Sequence, residues 1–196
     1  MPILGVIDSS KSGNLYSSSY ESIQTLTVSS TGNFSVAFTS IPQTYKHLQI
    51  RYSARQTSTN AGESLVIYST SSTGQTGYFT TRLYGVGSGS AVTDTYSNAA
   101  PFIFMPSGGN TSNMYGSGII EYPDYTNTTN YKSIKVWGGM ETDGGAGQSY
   151  RWHGIVGGVN TNTFSAITDI ALAVYSGSGS TGFAVNSTFA LYGMKG

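Results

Sequence analysis

Apolar side chains in this sequence recur at every second position. Leu48, Ile50, Tyr52 and Ala54 share one parity, and His47, Gln49, Arg51 and Ser53 share the other. A period of two places successive side chains on opposite faces of an extended strand, so one face is buried and the other meets water. The same period runs through Phe34, Val36 and Phe38, through Ile170, Leu172 and Val174, and through Phe183 and Val185 followed by Phe189 and Leu191. Further strands are expected at 64–69, 78–84, 101–105, 117–122, 131–137 and 149–156, which makes about ten in all. Turn-forming Gly, Ser, Thr and Asn separate them, and no amphipathic helix intervenes, so the expected fold is all-β. An antiparallel β-sandwich with jelly-roll-like connections is favoured over any parallel α/β arrangement.

Composition says how such a fold is covered. Aromatic residues reach 13%, enough to fill a core, while charged residues are only 9%, against about a quarter in an ordinary soluble domain. Serine and threonine together supply 54 of the 196 residues, so hydroxyls and amides must form much of the surface. Nine Lys and Arg balance nine Asp and Glu. No long-range field then steers the chain toward phosphate or anionic lipid, and neither nucleic acid nor a membrane is expected as a partner. A weakly charged surface also repels its own copies poorly, which suits a protein meant to assemble. Cysteine is absent, so neither disulfides nor thiolate metal sites contribute, and folding in a bacterial cytoplasm is compatible with the sequence.

Length and pattern suggest one β-sandwich domain over 21–196, preceded by an extended arm over 1–20. The arm opens with Ile3, Leu4, Val6 and Ile7 and continues through a Ser-rich stretch that includes Leu15. The apolar run is too short for a membrane span and lacks the basic flank of a secretory signal. Left in water it costs free energy, which docking in a neighbour's groove would remove, so these five residues are interface candidates. The segments 69–77, 85–90, 138–147 and 176–182 read as small-residue loops at the rims.

Catalytic constellations are hard to assemble from what remains. Of the two histidines, His47 falls on the polar face of a strand and reads as a solvated side chain, while His153 reads as a packed or hydrogen-bonded one. Glu141 and Asp143 flank an Asp-Gly turn and offer too few oxygens for a calcium loop. Glu121 and Asp124 could be imagined as a glycosidase pair, but Pro123 between them points to a strand end with an Asp-stabilised turn. No nucleophile elbow, phosphate loop or dinucleotide fingerprint occurs, and no cofactor or metal is expected. Trp137, Tyr150 and Trp152, close to the Gly-rich stretch 138–147, are candidates for contact with a glycan or partner protein, with core packing as the alternative. Tyr122, Tyr125 and Tyr131 carry the same ambiguity.

Several local motifs bear a resemblance. Ile3-Leu4-Gly5-Val6-Ile7, Ser12-Gly13-Asn14-Leu15, Tyr20-Glu21-Ser22-Ile23 and Phe38-Thr39-Ser40-Ile41-Pro42-Gln43-Thr44-Tyr45-Lys46-His47-Leu48 resemble segments of small virion structural proteins of tailed bacteriophages, cyanophages among them. Asp124-Tyr125-Thr126-Asn127, Tyr131-Lys132-Ser133, Ile167-Thr168-Asp169-Ile170 and the stretch from Ser187 to Gly196 extend that similarity along the chain, leaving 74–110 unplaced. The resemblance implies a non-enzymatic part of the particle, foremost a capsid decoration or cement protein bound to the major capsid protein or other virion subunits. A neck or tail fibre domain that recognises a host surface glycan is the alternative. A homotrimer is expected, with a dimer as second choice, in a virion assembled in the host bacterial cytoplasm.

Overall fold

The computed structural model describes residues 19–59, 63–69, 77–86, 90–140, 152–160, 165–175 and 182–195, with the backbone alone for β10 and for a few strand ends. Its twelve strands are β1 (Tyr20–Thr27), β2 (Ser35–Phe38), β3 (His47–Ala54), β4 (Glu63–Ser69), β5 (Tyr78–Val86), β6 (Val92–Ser97), β7 (Phe102–Met105), β8 (Gly116–Pro123), β9 (Lys132–Met140), β10 (Trp152–Asn160), β11 (Ile170–Tyr175) and β12 (Thr188–Met194). No helix occurs among the described residues, so none is long and apolar enough to cross a membrane. The strands form an eight-stranded sheet in the order β1-β12-β3-β8-β9-β10-β5-β6 and a four-stranded sheet in the order β2-β11-β4-β7. Every pairing is antiparallel.

Alternation decides which face each strand buries. Leu48, Ile50, Tyr52 and Ala54 of β3 are all buried, and Ile120 and Tyr122 of β8, Ile134 and Val136 of β9, and Phe189 and Leu191 of β12 continue the same inner face. The smaller sheet meets it with Leu65, Ile67, Ile103, Met105, Ile170 and Leu172, all 0% exposed. The two sheets thus close one sandwich-like core.

Part of that core depends on missing side chains. Tyr52 leans over β8 toward β9, and a β-carbon added at Gly118 or Gly138 would lie 2.6 or 2.5 Å from its hydroxyl oxygen. The two glycines leave the space that one tyrosine fills, and burial pushes its phenol far above the ordinary range.

Beyond β10 the large sheet curls round the edge of the small one. On β7, Ile103 and Met105 face the core, so Phe102 and Phe104 point to the other side of the small sheet. There the guanidinium of Arg82 from β5 lies 4.1 Å from the Phe102 ring centre and 5.5 Å from that of Phe104. Tyr96 of β6 packs edge-on against Phe102, with 5.3 Å between centroids. Arg82 is 3% exposed and its charge is met by Asp94 at 2.6 Å and the Tyr96 hydroxyl at 2.7 Å.

Two strands depart from the expected pattern. β1 begins at the last residue assigned to the arm, Tyr20, and is not among the expected strands because a register shift between Ser22 and Gln24 breaks its alternation. β6 occupies the unplaced region, where an edge strand with mainly polar residues presents no buried parity. The expected arm residues Ile3, Leu4, Val6, Ile7 and Leu15 lie outside the described residues.

Candidate functional site

The outer face of the eight-stranded sheet is where the chain's alternation stops being hydrophobic-in and polar-out. Trp137 falls one position out of phase with Ile134 and Val136, so it leaves the core and is 49% exposed. It pairs with Ile119 of β8 on one side and Ile155 of β10 on the other, and Ile155 in turn pairs with Leu83 of β5. One register row therefore carries Ile119, Trp137, Ile155 and Leu83 across four adjacent strands. Leu83 is 46% exposed, and Phe79, four residues away on the same face of β5, is 52% exposed. Antiparallel sheets that meet water on one face normally make that face polar; here Trp137, Leu83 and Phe79 interrupt an outer face that otherwise carries Arg51, Ser117, Glu121 and Lys135.

Beside the row lies an open depression of about 1030 Å³. Its sides include Trp137, Leu83, Ile119, Tyr115 and Ala91, and its floor drops where Gly85 and Gly139 carry no side chain. Among the described residues, Arg51 is the one charged residue lining it. The Arg51 guanidinium lies over the rings of Tyr20 and Tyr192, at 5.4 and 5.0 Å from their centroids, and its Nε donates to Gln49 Oε1 at 2.9 Å. These contacts hold the cation on the outer face, where Arg51 remains exposed.

The other candidates distribute differently. Trp152 pairs with Met140 and Val86, a register position of opposite parity to Trp137, so the ladder does not bring the two tryptophans onto one face. Tyr150, Glu141 and Asp143 lie outside the described residues, and of His153 only the backbone is described. Tyr122 and Tyr125 are fully buried, whereas Tyr131 is 51% exposed. The Leu83 and Phe79 contribution was not singled out from sequence, although both alternate against Tyr78, Thr80 and Arg82 on β5.

Several other described ionisable groups are bound within the fold. Glu121 accepts from Gln49 Nε2 at 3.2 Å and faces Lys135 across the ladder. Asp124 begins a turn with φ 49° directly after Pro123, pairs with Lys46 at 2.9 Å and accepts from Asn127; the Lys46 and Asn127 bonds hold its carboxyl below the usual range. The carboxylates of Glu121 and Asp124 thus serve a strand and a turn, as Pro123 suggested. His47 is not simply solvated: its Nδ1 accepts the backbone N–H of Asp124 at 2.9 Å. Arg55 donates to the carbonyls of Asn110, Thr111 and Met114, and Lys132 donates to that of Asn127. Among the described residues no three His, Asp or Glu side chains converge as a metal site would require.

No family model, curated protein or solved structure matches this chain.

Proposed function

We propose that this chain is a non-enzymatic structural protein of a phage particle, a decoration or cement protein that binds the shell through the outer face of its eight-stranded sheet. The apolar row from Ile119 through Trp137 to Leu83 carries the reading. It places large side chains in water, where a partner surface would remove the cost. Most described charges other than Arg51 are meanwhile engaged within the fold, which leaves little for proton transfer or charge stabilisation. Resemblance to tailed-phage virion proteins supplies the class of partner, the major capsid protein or another virion subunit. Repeated crossing between the two sheets, from β1 to β2 and back to β3, then to β4 and β5, supports jelly-roll-like connections. An N-terminal arm would add a second tie, and a homotrimer, with a dimer next, would suit threefold positions on a shell. Many copies would multiply a modest affinity.

Cosedimentation of the purified chain with empty shells of its own phage tests this. Binding is expected to persist in roughly 1 M salt, since apolar contact is not screened, and to be lost in the Trp137→Ala, Leu83→Ser double variant. Full occupancy by that variant would sink the proposal.

One observation favours a second reading, a neck or tail fibre domain that recognises host surface glycan. Trp137 borders an open depression together with Tyr115 and Arg51, and an exposed aromatic face beside polar groups can hold a sugar ring. Under that reading Trp137→Ala abolishes glycan-array binding while shell binding is absent from the start.

A further inference from the structure

Among the described residues, the outer-face depression has an apolar row at its side, a single lining cation and no lining carboxylate. The sequence contains one segment with the complementary order. Pro2, Ile3, Leu4, Gly5, Val6 and Ile7 are uncharged and mostly apolar, and Asp8 follows them directly. Laid along the depression, such a segment would cover Trp137 and Leu83 and bring its first charged side chain, Asp8, to Arg51.

The path of the chain into β1 says whose segment this is. Tyr20 pairs with Met194, and the ladder still holds one residue earlier, where Lys195 N donates to the Ser19 carbonyl at 3.3 Å. At Ser19 the chain is therefore still aligned with the strand axis, at the far edge of the sheet. β12, β3 and β8 separate that edge from Trp137 on β9. Covering its own Trp137 would require a reversal and a crossing over the Arg51, Tyr20 and Tyr192 stack. Continuing outward needs neither. The twelve residue steps from Ser19 back to Ile7 can extend over about 40 Å, more than the roughly 34 Å width of an eight-stranded sheet.

We infer that residues 2–7 of one copy dock on the outer sheet face of a second copy, against Trp137 and Leu83, with Asp8 paired to Arg51. This rests on the assembly reading and divides the face: a second copy covers Trp137 and Leu83, and the shell would meet the remainder of the outer face of the oligomer so formed. Each copy both gives and receives a segment, a requirement met by a closed ring such as a trimer and equally by a reciprocal exchange between two copies.

The test uses the full chain. Sedimentation velocity of the wild type is expected to show concentration-dependent oligomers, and Ile3→Asp with Val6→Asp is expected to leave monomers of unchanged circular dichroism. Asp8→Arg or Arg51→Asp alone should weaken association about tenfold, and the two together should restore it. In a Trp152→Phe background the remaining Trp137 fluorescence should shift to longer wavelength on dilution. A shift that Ile3→Asp and Val6→Asp produce without any dependence on concentration would mean docking within one copy and overturn the second-copy assignment. Oligomers and emission unaffected by those substitutions would overturn the whole inference. Arm-dependent oligomers that never join shells would leave this contact standing and remove the decoration role.

Discussion

The ring of Tyr45 lies against Gly193 so closely that a β-carbon on the glycine would fall 2.3 Å from it. The same tyrosine donates its hydroxyl to Glu21 Oε2 at 2.9 Å, and Glu21 also pairs with Lys195, two residues beyond the glycine. A loop residue before β3 thereby pins the pairing of β1 with β12, and Gly193 provides the room.

Gly193→Ala should accordingly destabilise the fold by roughly 1–3 kcal/mol, the range for overpacking a filled site. Urea denaturation measures it. Tyr45→Ala combined with Gly193→Ala should cost less than the sum of the two single changes, because the first removes the clash that the second creates.

For the Arg82–Asp94 pair the two partners should not be equivalent. Arg82 is 3% exposed at its side chain and Asp94 28%. Asp94→Ala leaves a buried cation without its carboxylate, whereas Arg82→Leu leaves a carboxylate that water can reach and puts an apolar group among Phe102 and Phe104. The thermal midpoint is expected to fall further in Asp94→Ala than in Arg82→Leu, and the reverse order would refute the asymmetry.

Acid should unfold the protein through its carboxylates. The Lys195 and Tyr45 hydrogen bonds lower Glu21, and those from Lys46 and Asn127 lower Asp124. Partial burial raises Asp94, but the bonds from Arg82, Tyr84 and Tyr96 outweigh it and the net direction is down. Folded values below the unfolded ones mean that stability is complete above about pH 4–5 and drains away as pH falls through the folded values. Midpoints measured from pH 6 down to pH 2 should show that decline, and Asp94→Asn should flatten it.

Replacing Trp137 should separate stability from association. Half of its surface already meets solvent, so Trp137→Ala is expected to change the unfolding free energy by less than about 1 kcal/mol. Solubility of the free chain should rise at the same time. A much larger loss on chemical denaturation would assign Trp137 to packing rather than to a contact surface.

Much of this architecture is legible in the residue order, for reasons that differ by element. β3 announces itself because Leu48, Ile50, Tyr52 and Ala54 keep strict parity and all four are buried. β1 does not, because the shift between Ser22 and Gln24 moves Ile23 and Leu26 out of any single phase. Trp137 could have been read as outward-facing from its offset against Ile134 and Val136. The gathering of Trp137 with Leu83 could not, since it depends on β10 lying between two strands distant in sequence. Nothing local marks Arg82 as a buried cation either; its aromatic neighbours Phe102 and Phe104 come from the other sheet.

β7 is only four residues long and borders its sheet, the kind of strand that ordinarily frays first. Here Ile103 and Met105 are held by one surface of the wrapped large sheet, and Phe102 and Phe104 by Arg82 and Tyr96 from its curled end. This short margin is gripped from above and below like a page in a closed book. Its amides should be among the slowest to exchange with deuterated solvent, released only when the β5–β6 hairpin lifts.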